Sequence, residues 1–198
     1  FFKRYILGLW CVAEGLVYSM FDEEKHVSDE HMSGALEYIV SIDYGTVNPF
    51  SAGLWAFDGK NSQREAELYY NSREAGKRVD DEAYYKMLKE LIGDRKISCI
   101  IIDPSAASFI EVIKKYGEYT VKKADNDVLD GIRVVTTMLN KGLLKIYKDC
   151  TSCINEFGLY CWDEEKNNDT VIKENDHAMD DTRYYVYTFL RRRLRWKY

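Results

Sequence analysis

Two aspartates that end short apolar segments could take part in metal chemistry. Asp43 follows the segment Ile39–Ile42, and Asp103 follows the segment Ile97–Ile102. Both segments are rich in β-branched residues, a composition that favours buried strands. A carboxylate at the end of a buried strand costs desolvation energy unless a cation or a hydrogen-bond donor meets it. If the two strands are neighbours, their aspartates face one point and offer the oxygen ligands that Mg²⁺ or Mn²⁺ prefers.

A third acidic group lies near the C-terminal end, in the segment Asp176–Asp181. His177 is three residues before Asp180 and four before Asp181, so in a helix these side chains share a face. Together the three positions could hold two ions about 3.5–4 Å apart, which would activate water and stabilise the leaving oxygen of a phosphodiester. The same acidic residues could instead complement a helix dipole, worth about 0.3–1 kcal/mol each. The residue types alone leave both interpretations open.

The elements that must position these residues begin with three predicted strands. Apolar and β-branched residues cluster in short runs bounded by turn signals, and a polar loop, Asp58–Ser62, separates the second run from the third. Such a pattern is typical of an antiparallel meander. The predicted strands are Leu36–Asp43, Ser51–Phe57 and Glu65–Tyr70.

After the meander, helices and strands alternate. Apolar residues recur at helical spacing before Gly93 and Gly117, and Pro104 suits the first turn of a helix. The predicted order is helix Asp80–Ile92, strand Ile97–Asp103, a helix from Pro104 to Gly117, strand Tyr119–Val121, helix Asn126–Asn140, strand Leu143–Ile146 and helix Asp176–Arg193 with Asp176 as its N-cap. This order predicts an α/β domain in residues 36–198, with residues 1–35 as an approach segment.

Composition and charge narrow the class of protein. The chain has 198 residues, of which 46% are hydrophobic and 31% are charged, and its net charge is -5. These proportions are typical of a soluble globular domain, and no apolar run reaches the ~18 residues of a membrane span. A negative net charge does not favour nucleic-acid binding by bulk charge, but it is compatible with a basic groove around an acidic metal site.

Histidines and cysteines outside the acidic groups are given no role. We expect His26 and His31 to be surface residues. Cys150 and Cys153 have the spacing of half a zinc site without a second half, so they are interpreted as free thiols in a reducing cytosol.

The order of the motifs indicates a family. Ile42–Gly45, Ile102–Ala106 and Asp176–Tyr184 resemble the three nuclease motifs of phage large terminase subunits. Gly8–Gly15 and Asn126–Ile132 also look like segments of that family. The resemblance implies an RNase H-like fold: a mixed sheet, with an antiparallel three-strand meander and parallel strands, flanked by helices.

The resemblance also implies a site and an activity. Two Mg²⁺ or Mn²⁺ ions would be held by Asp43, Asp103 and Asp180, with His177 beside them. Asp181 is a further candidate ligand, because a second aspartate follows where the family usually has a small residue. The implied activity is endonucleolytic cleavage of double-stranded concatemeric viral DNA during genome packaging, in the host cell cytoplasm.

The implied partners are double-stranded DNA, a small terminase subunit, a portal protein and an ATPase domain. No Gly-x-x-x-x-Gly-Lys-Ser/Thr phosphate loop occurs in these residues. Residues 1–35 are therefore expected to be the link to an ATPase domain that is missing here.

Three basic residues, Lys122, Lys123 and Arg133, could steer DNA phosphates toward the metals. They could instead form an ordinary solvated face, which the residue types favour. Two other functions stay open: a non-catalytic RNase H-like module that binds DNA or a partner, and a junction resolvase of the same fold. Metal binding separates the first from a nuclease, and a preference for branched DNA separates the second.

Overall fold

A computed structural model describes residues 15–45, 48–163 and 170–194 of the chain. Residues 1–14 of the predicted approach segment, including residues 8–14 of the first family-like stretch, lie outside these ranges. None of the described helices is long and apolar enough to cross a membrane.

A seven-stranded mixed sheet forms the centre of the fold. Strands β2, β3 and β4 are antiparallel neighbours, which confirms the predicted meander, and β5, β6, β7 and β1 add in parallel. The order across the sheet is β1-β7-β4-β3-β2-β5-β6. The strands are β1 Val27–Ser28, β2 Glu37–Asp43, β3 Phe50–Phe57, β4 Ser62–Tyr70, β5 Ile97–Ile102, β6 Val121–Lys123 and β7 Leu144–Tyr147.

Helices cover both faces of this sheet. On one face α2 and α3 pack over Val40 and Ile100, and on the other α4, α5 and α6 pack over Ile39 and Ile101. The helices are α1 Glu23–His26, α2 Asp81–Ile92, α3 Ala107–Tyr116, α4 Val128–Asn140, α5 Thr151–Phe157 and α6 His177–Tyr185, which continues through a π-helical turn, Val186–Leu190, into α7 Arg191–Arg193. A mixed sheet flanked by helices is therefore confirmed.

The period-two alternation of a strand decides which face each side chain of β2 and β5 meets. Val40 and Ile42 enter the core below α2 and α3. Ile39 and Ser41 face the opposite side, where α6 lies. Asp43 continues this second series, so the alternation directs its carboxylate toward α6.

Several predicted boundaries were wrong. Strand β4 begins at Ser62, three residues before the predicted start, because Gln63 and Arg64 are buried polar residues that weaken the apolar pattern. Helix α3 begins at Ala107 rather than at Pro104, because Asp103 holds a turn by accepting the backbone N–H of Ser105 and of Ala106. Strand β6 lies two residues after the predicted Tyr119–Val121.

Three short elements, α1, β1 and α5, were not predicted from the sequence. Strand β1 pairs with β7, and Phe21 stacks on Phe157 of α5 with ring centroids 4.2 Å apart. The described residues before Leu36 thus pack against the sheet domain, while the division at residues 35 and 36 stays a prediction.

His26 is buried, so its prediction as a surface histidine was wrong. Its Nε2 lies 3.0 Å from the carbonyl oxygen of Leu139. His31 is exposed and contacts Glu65 at 2.6 Å. Cys150 and Cys153 are buried free cysteines, as expected.

Candidate active site

Asp43 and His177 form the centre of the candidate site. Asp43 ends β2 and His177 is the first residue of α6, and His177 Nδ1 lies 2.9 Å from Asp43 Oδ2. Only 18% of the Asp43 side chain and 16% of the His177 side chain are exposed. The contact joins two residues 134 positions apart and so ties the end of β2 to the start of α6.

The pair has unusual acid–base properties. Burial raises the pKa of Asp43 to about 6, and the charge of Asp180 adds to the rise while His177 opposes it. Burial alone would lower the pKa of His177, but the hydrogen bond and the charge of Asp43 raise it above its ordinary value. A buried carboxylate close to another carboxylate is stabilised by any nearby cation.

Asp103 lies at the same edge, one strand away. Strands β2 and β5 run parallel with Ile42 beside Ile102, so the two aspartates follow adjacent strand ends. Asp103 Oδ2 accepts hydrogen bonds from Asn126 Nδ2 at 3.2 Å and from the Tyr184 hydroxyl at 3.3 Å. Burial opposes ionisation of Asp103, but hydrogen bonds from Ser105, Asn126 and Tyr184 hold its pKa below the usual value.

Asp180 lies one helical turn after His177 and is buried, with a 10% exposed side chain. Its Oδ1 accepts a hydrogen bond from Arg183 at 2.9 Å, and its Oδ2 lies 3.3 Å from the Lys173 ammonium group. Lys173 is 60% exposed and also lies 3.3 Å from Asp176 Oδ2. Asp176 and Asp180 therefore share the Lys173 ammonium group at the N-terminal end of α6.

Asp181 points away from this group and into the core. It is fully buried, and both of its oxygens accept hydrogen bonds from the Arg64 guanidinium, with Arg64 NH2 at 3.0 Å from Oδ2. The hydroxyl of Ser41 donates to Oδ1 at 3.1 Å, and the hydroxyl of Ser51 donates to Oδ2. Gly53 makes room for this ion pair, because a Cβ there would collide with the Arg64 guanidinium.

Helix α6 is capped by a residue that the sequence analysis missed. Asp176 occupies the predicted N-cap position but makes no capping hydrogen bond from its side chain. Glu156 of α5 does so instead, because its Oε2 accepts the backbone N–H of Ala178 at 2.7 Å and of Met179 at 3.3 Å. The Tyr69 hydroxyl donates to its Oε1 at 2.7 Å. Burial raises the pKa of Glu156 to about 7, and these hydrogen bonds oppose the rise.

Helix α5 is capped in the same way, by a glutamate side chain from another element. Glu67 of β4 accepts the backbone N–H of Ser152 at 2.7 Å and of Cys153 at 3.1 Å. The sheet thus orients α5 through Glu67, and α5 orients α6 through Glu156. Neither glutamate is close in sequence to the helix that it caps, so no local capping signal could have identified it.

The predicted site residues fall into four groups. Asp43, Asp103, His177 and Asp180 lie around the end of β2 and the start of α6. Burial raises the pKa of Tyr184, and the charges of Asp180, Asp43 and Asp103 all add to the rise. Lys122 and Lys123 are exposed on β6 at this edge of the sheet. Arg133 is exposed on α4 and pairs with Asp130 at 2.8 Å. Asp181 is separate, in the core.

The acidic side chains have the oxygen donors that a hard divalent cation requires, but these donors are not already arranged around one point. Within residues 15–45, 48–163 and 170–194, no three histidine, cysteine or carboxylate side chains are arranged to hold a metal ion. Basic groups of the chain contact these oxygens: His177 on Asp43, and Lys173 and Arg183 on Asp180. Carboxylates that attract three basic groups offer the oxygen donors and the negative potential that Mg²⁺ or Mn²⁺ requires.

Comparisons with known proteins agree with the geometry. The large terminase subunit of Escherichia phage T5 is 24% identical over 207 residues, which cover 96% of this chain and 46% of that protein. The large terminase of a thermophilic bacteriophage, solved in complex with ADP, is 41% identical, with a TM-score of 0.86 over 96% of this chain and 48% of that chain. This chain spans about half the length of these two relatives.

A solved nuclease domain resembles this chain over nearly its whole length. The large terminase nuclease from another thermophilic phage, G20c, with bound magnesium, has a TM-score of 0.65 and 12% identity over 90% of this chain and 99% of that chain. At this identity the likeness shows the fold alone. The family model for the terminase RNaseH-like domain matches residues 40–188, which span all three acidic motifs. The chain therefore belongs to the terminase RNaseH-like domain family.

Proposed function

We propose that this chain is a metal-dependent endodeoxyribonuclease that cuts double-stranded concatemeric viral DNA during genome packaging. The observation that carries the proposal is the meeting of Asp43, His177 and Asp180 beside Asp103, at the edge of an RNase H-like sheet. Family membership and the magnesium bound by the G20c nuclease support a divalent metal.

Asp43, Asp103 and Asp180 are the residues that we assign to two Mg²⁺ or Mn²⁺ ions. When bound, such ions activate the attacking water and neutralise charge on the phosphate and the leaving oxygen. We assign Asp181 a different role from that of a ligand, since its two oxygens are engaged by Arg64, Ser41 and Ser51. The buried ion pair fixes the rotation of α6, so that the preceding residue faces the site.

The chain's own residues prepare the site in three ways. His177 donates to Asp43 and keeps its carboxylate oriented toward α6. Asn126 and Tyr184 hold Asp103 by hydrogen bonds to Oδ2. Glu156 fixes the first turn of α6 and with it the position of His177. Preorganised ligands of this kind reduce the cost of orienting groups during the reaction.

The length of the relatives supports one further partner. Because this chain spans about half of the phage T5 protein and of the ADP-bound terminase, we propose that an ATPase domain accompanies it in the whole subunit. A small terminase subunit and a portal protein would then position it on DNA in the host cell cytoplasm. Lys122, Lys123 and Arg133 are assigned to DNA phosphates near the site.

Cleavage of supercoiled plasmid tests the function. Wild type, Asp43→Asn and Asp103→Asn are compared in Mg²⁺, Mn²⁺ and EDTA, with Asp94→Asn as the control because Asp94 is an exposed carboxylate in the turn before β5. We expect metal-dependent nicking and linearisation in wild type and in Asp94→Asn, and loss of both in the two site variants. Equal cleavage by folded site variants would refute the proposal.

The same assay separates the two alternatives. A non-catalytic DNA-binding module would leave the plasmid intact in every metal, although it would still bind DNA. A junction resolvase would cut a plasmid with an extruded cruciform much faster than the matched plasmid without one. Equal rates on the two plasmids are expected for a packaging nuclease.

A further inference from the structure

The loop of residues 71–80, between β4 and α2, leaves the sheet at the edge that carries the candidate active site. Ser51 of β3 pairs with Asp43 on one side and with Tyr69 on the other. Strand β4 ends one residue later, at Tyr70. The 71–80 loop therefore starts at the same end of the sheet as the strand-end aspartates. It approaches the site from the side opposite to β6.

Tyrosine hydroxyls hold this loop beside the segment that follows Asp43. The Tyr70 hydroxyl donates to the carbonyl oxygen of Lys77 at 2.8 Å. The Tyr44 hydroxyl donates to Asp81, the first residue of α2, and the Tyr84 hydroxyl donates to the carbonyl oxygen of Gly45 at 3.3 Å. The loop is therefore fixed at both ends relative to the strand end that carries Asp43.

Three cations of the 71–80 loop point into solvent. Arg73, Lys77 and Arg78 are exposed, and no ion pair in the described part of the chain includes them. Many exposed cations elsewhere have an acidic partner, for example Lys89 with Glu118 at 2.9 Å and Lys115 with Glu82 at 2.8 Å. The loop contains two acidic residues, Glu74 and Asp80, against these three cations, and Asp80 is the N-cap of α2. The 71–80 loop therefore carries a net charge of +1.

Lys122 and Lys123 are the exposed cations on the other side of the site. They belong to β6, and the order β4-β3-β2-β5-β6 puts four strand spacings between them and the 71–80 loop. At about 4.8 Å per spacing, the strand ends next to the two basic groups are about 19 Å apart. One DNA strand places a phosphate about every 3.4 Å along the helix axis, so this distance covers about five or six phosphates. The acidic residues lie between the two groups.

We propose that the 71–80 loop is a binding surface for the DNA backbone, in which Arg73 and Lys77 contact phosphates on the side of the active site opposite to Lys122 and Lys123. The inference rests on the proposed function and adds a contact that the sequence patterns did not indicate. DNA bound by both basic groups crosses the sheet edge over Asp43 and Asp103. Contacts to phosphate position the duplex and carry no sequence information.

Duplex binding by the whole chain in EDTA tests the inference without cleavage. The Arg73→Gln/Lys77→Gln variant is compared with Lys60→Gln/Lys96→Gln, which removes the same charge from exposed positions at the opposite edge of the sheet. Fluorescence anisotropy of a labelled duplex is measured over a series of salt concentrations. Each lost phosphate contact reduces the magnitude of the slope of log K against log salt concentration by about 0.9. The slope of the loop variant should therefore be smaller in magnitude than that of wild type by about 1.8, and the variant should bind the duplex roughly tenfold more weakly at low salt.

The control variant should match wild type in slope and affinity, and thermal unfolding confirms that each variant is folded. An equal loss in both variants would show that only bulk charge matters and would overturn the inference. Unchanged binding by the loop variant, or no duplex binding by wild type, would overturn it as well. Failure of the proposed function is seen separately, as the absence of metal-dependent plasmid cleavage by wild type.

Discussion

Asp180 and Asp181 are consecutive residues of α6, yet their carboxylates lie in opposite environments. Asp180 meets Lys173 and Arg183 at the candidate active site, and Asp181 meets Arg64 in the core. Successive residues of a helix differ by about 100° in direction, so a helix that lies on a sheet can turn one residue toward a site and the next toward the core. Replacing Asp181 should therefore affect mainly the stability of the fold, whereas replacing Asp180 should affect mainly metal binding.

Asp181→Asn should destabilise the fold. Removing one charge of a buried pair leaves the Arg64 guanidinium with only the more distant carboxylate of Glu67, at 3.7 Å, to balance it. The expected loss in the free energy of unfolding is about 3 kcal/mol, the lower end for a broken buried pair. Urea denaturation measures it. Asp180→Asn should cost less, because Lys173 is exposed and Arg183 keeps a hydrogen bond to the carbonyl oxygen of Asp127.

The metal response of the two variants provides the complementary test. Mn²⁺ should raise the melting temperature of Asp181→Asn, as in wild type, and should leave that of Asp180→Asn nearly unchanged. The reverse result, with stabilisation lost only in Asp181→Asn, would make Asp181 the ligand.

Glu156→Gln should change how stability depends on pH. The folded pKa of Glu156, about 7, lies above its ordinary value of 4.5, so the folded state binds the proton more tightly than the unfolded state. Stability from this group is thus fully present below pH 4.5 and is lost as pH rises toward 7, by roughly 3 kcal/mol in total. The Gln variant should lack this loss.

Urea denaturation of wild type and Glu156→Gln at a series of pH values measures the difference. Asp43 and His177, close to the same helix terminus, also titrate with raised pKa values, and the subtraction of one protein from the other removes their common contribution. Parallel stability curves from pH 4.5 to pH 7 would contradict the prediction.

Lys173→Met should tighten metal binding. The Lys173 ammonium group lies 3.3 Å from an oxygen of Asp180 that we assign to a metal, so the two cations repel each other. The Mn²⁺ concentration that gives half of the maximal thermal stabilisation should fall by about fivefold, because the local potential becomes more negative. Lys148→Met is the control, since Lys148 pairs with the exposed Asp29 away from this site. An equal or weaker Mn²⁺ response in Lys173→Met would reject the assignment.

Gly53→Ala should destabilise the fold although alanine is small and apolar. Its Cβ would collide with the Arg64 guanidinium and with the Trp55 indole, two fully buried side chains that cannot move aside. Overpacking of this kind costs about 1–3 kcal/mol. At Gly158 an added Cβ would meet only an ordinary contact of 3.4 Å, so Gly158→Ala should have little effect on thermal unfolding.

Patterns that repeat within one element were sufficient to predict most of the fold. The β-branched and aromatic run in Leu36–Asp43 and the helical spacing in Asp80–Ile92 match β2 and α2 to within one residue at each end. Short elements such as α5 escaped, because seven residues contain too few apolar positions to establish a period. Strand β4 was shortened in the prediction, because its polar residues are buried by partners that are distant in sequence, such as Asp181 for Arg64.

The sequence by itself determined which acidic residues end strands, the spacing of His177 and Asp180, and the order of motifs that identifies the family. Only the tertiary structure decided which of Asp180 and Asp181 faces the site, and that Glu156 caps α6. The physical reason is that both outcomes depend on contacts between separate elements: Arg64 lies 117 residues from Asp181, and Glu156 lies 22 residues from Ala178. Periodicity within one element describes the faces of that element, but the neighbours that occupy each face are decided by packing.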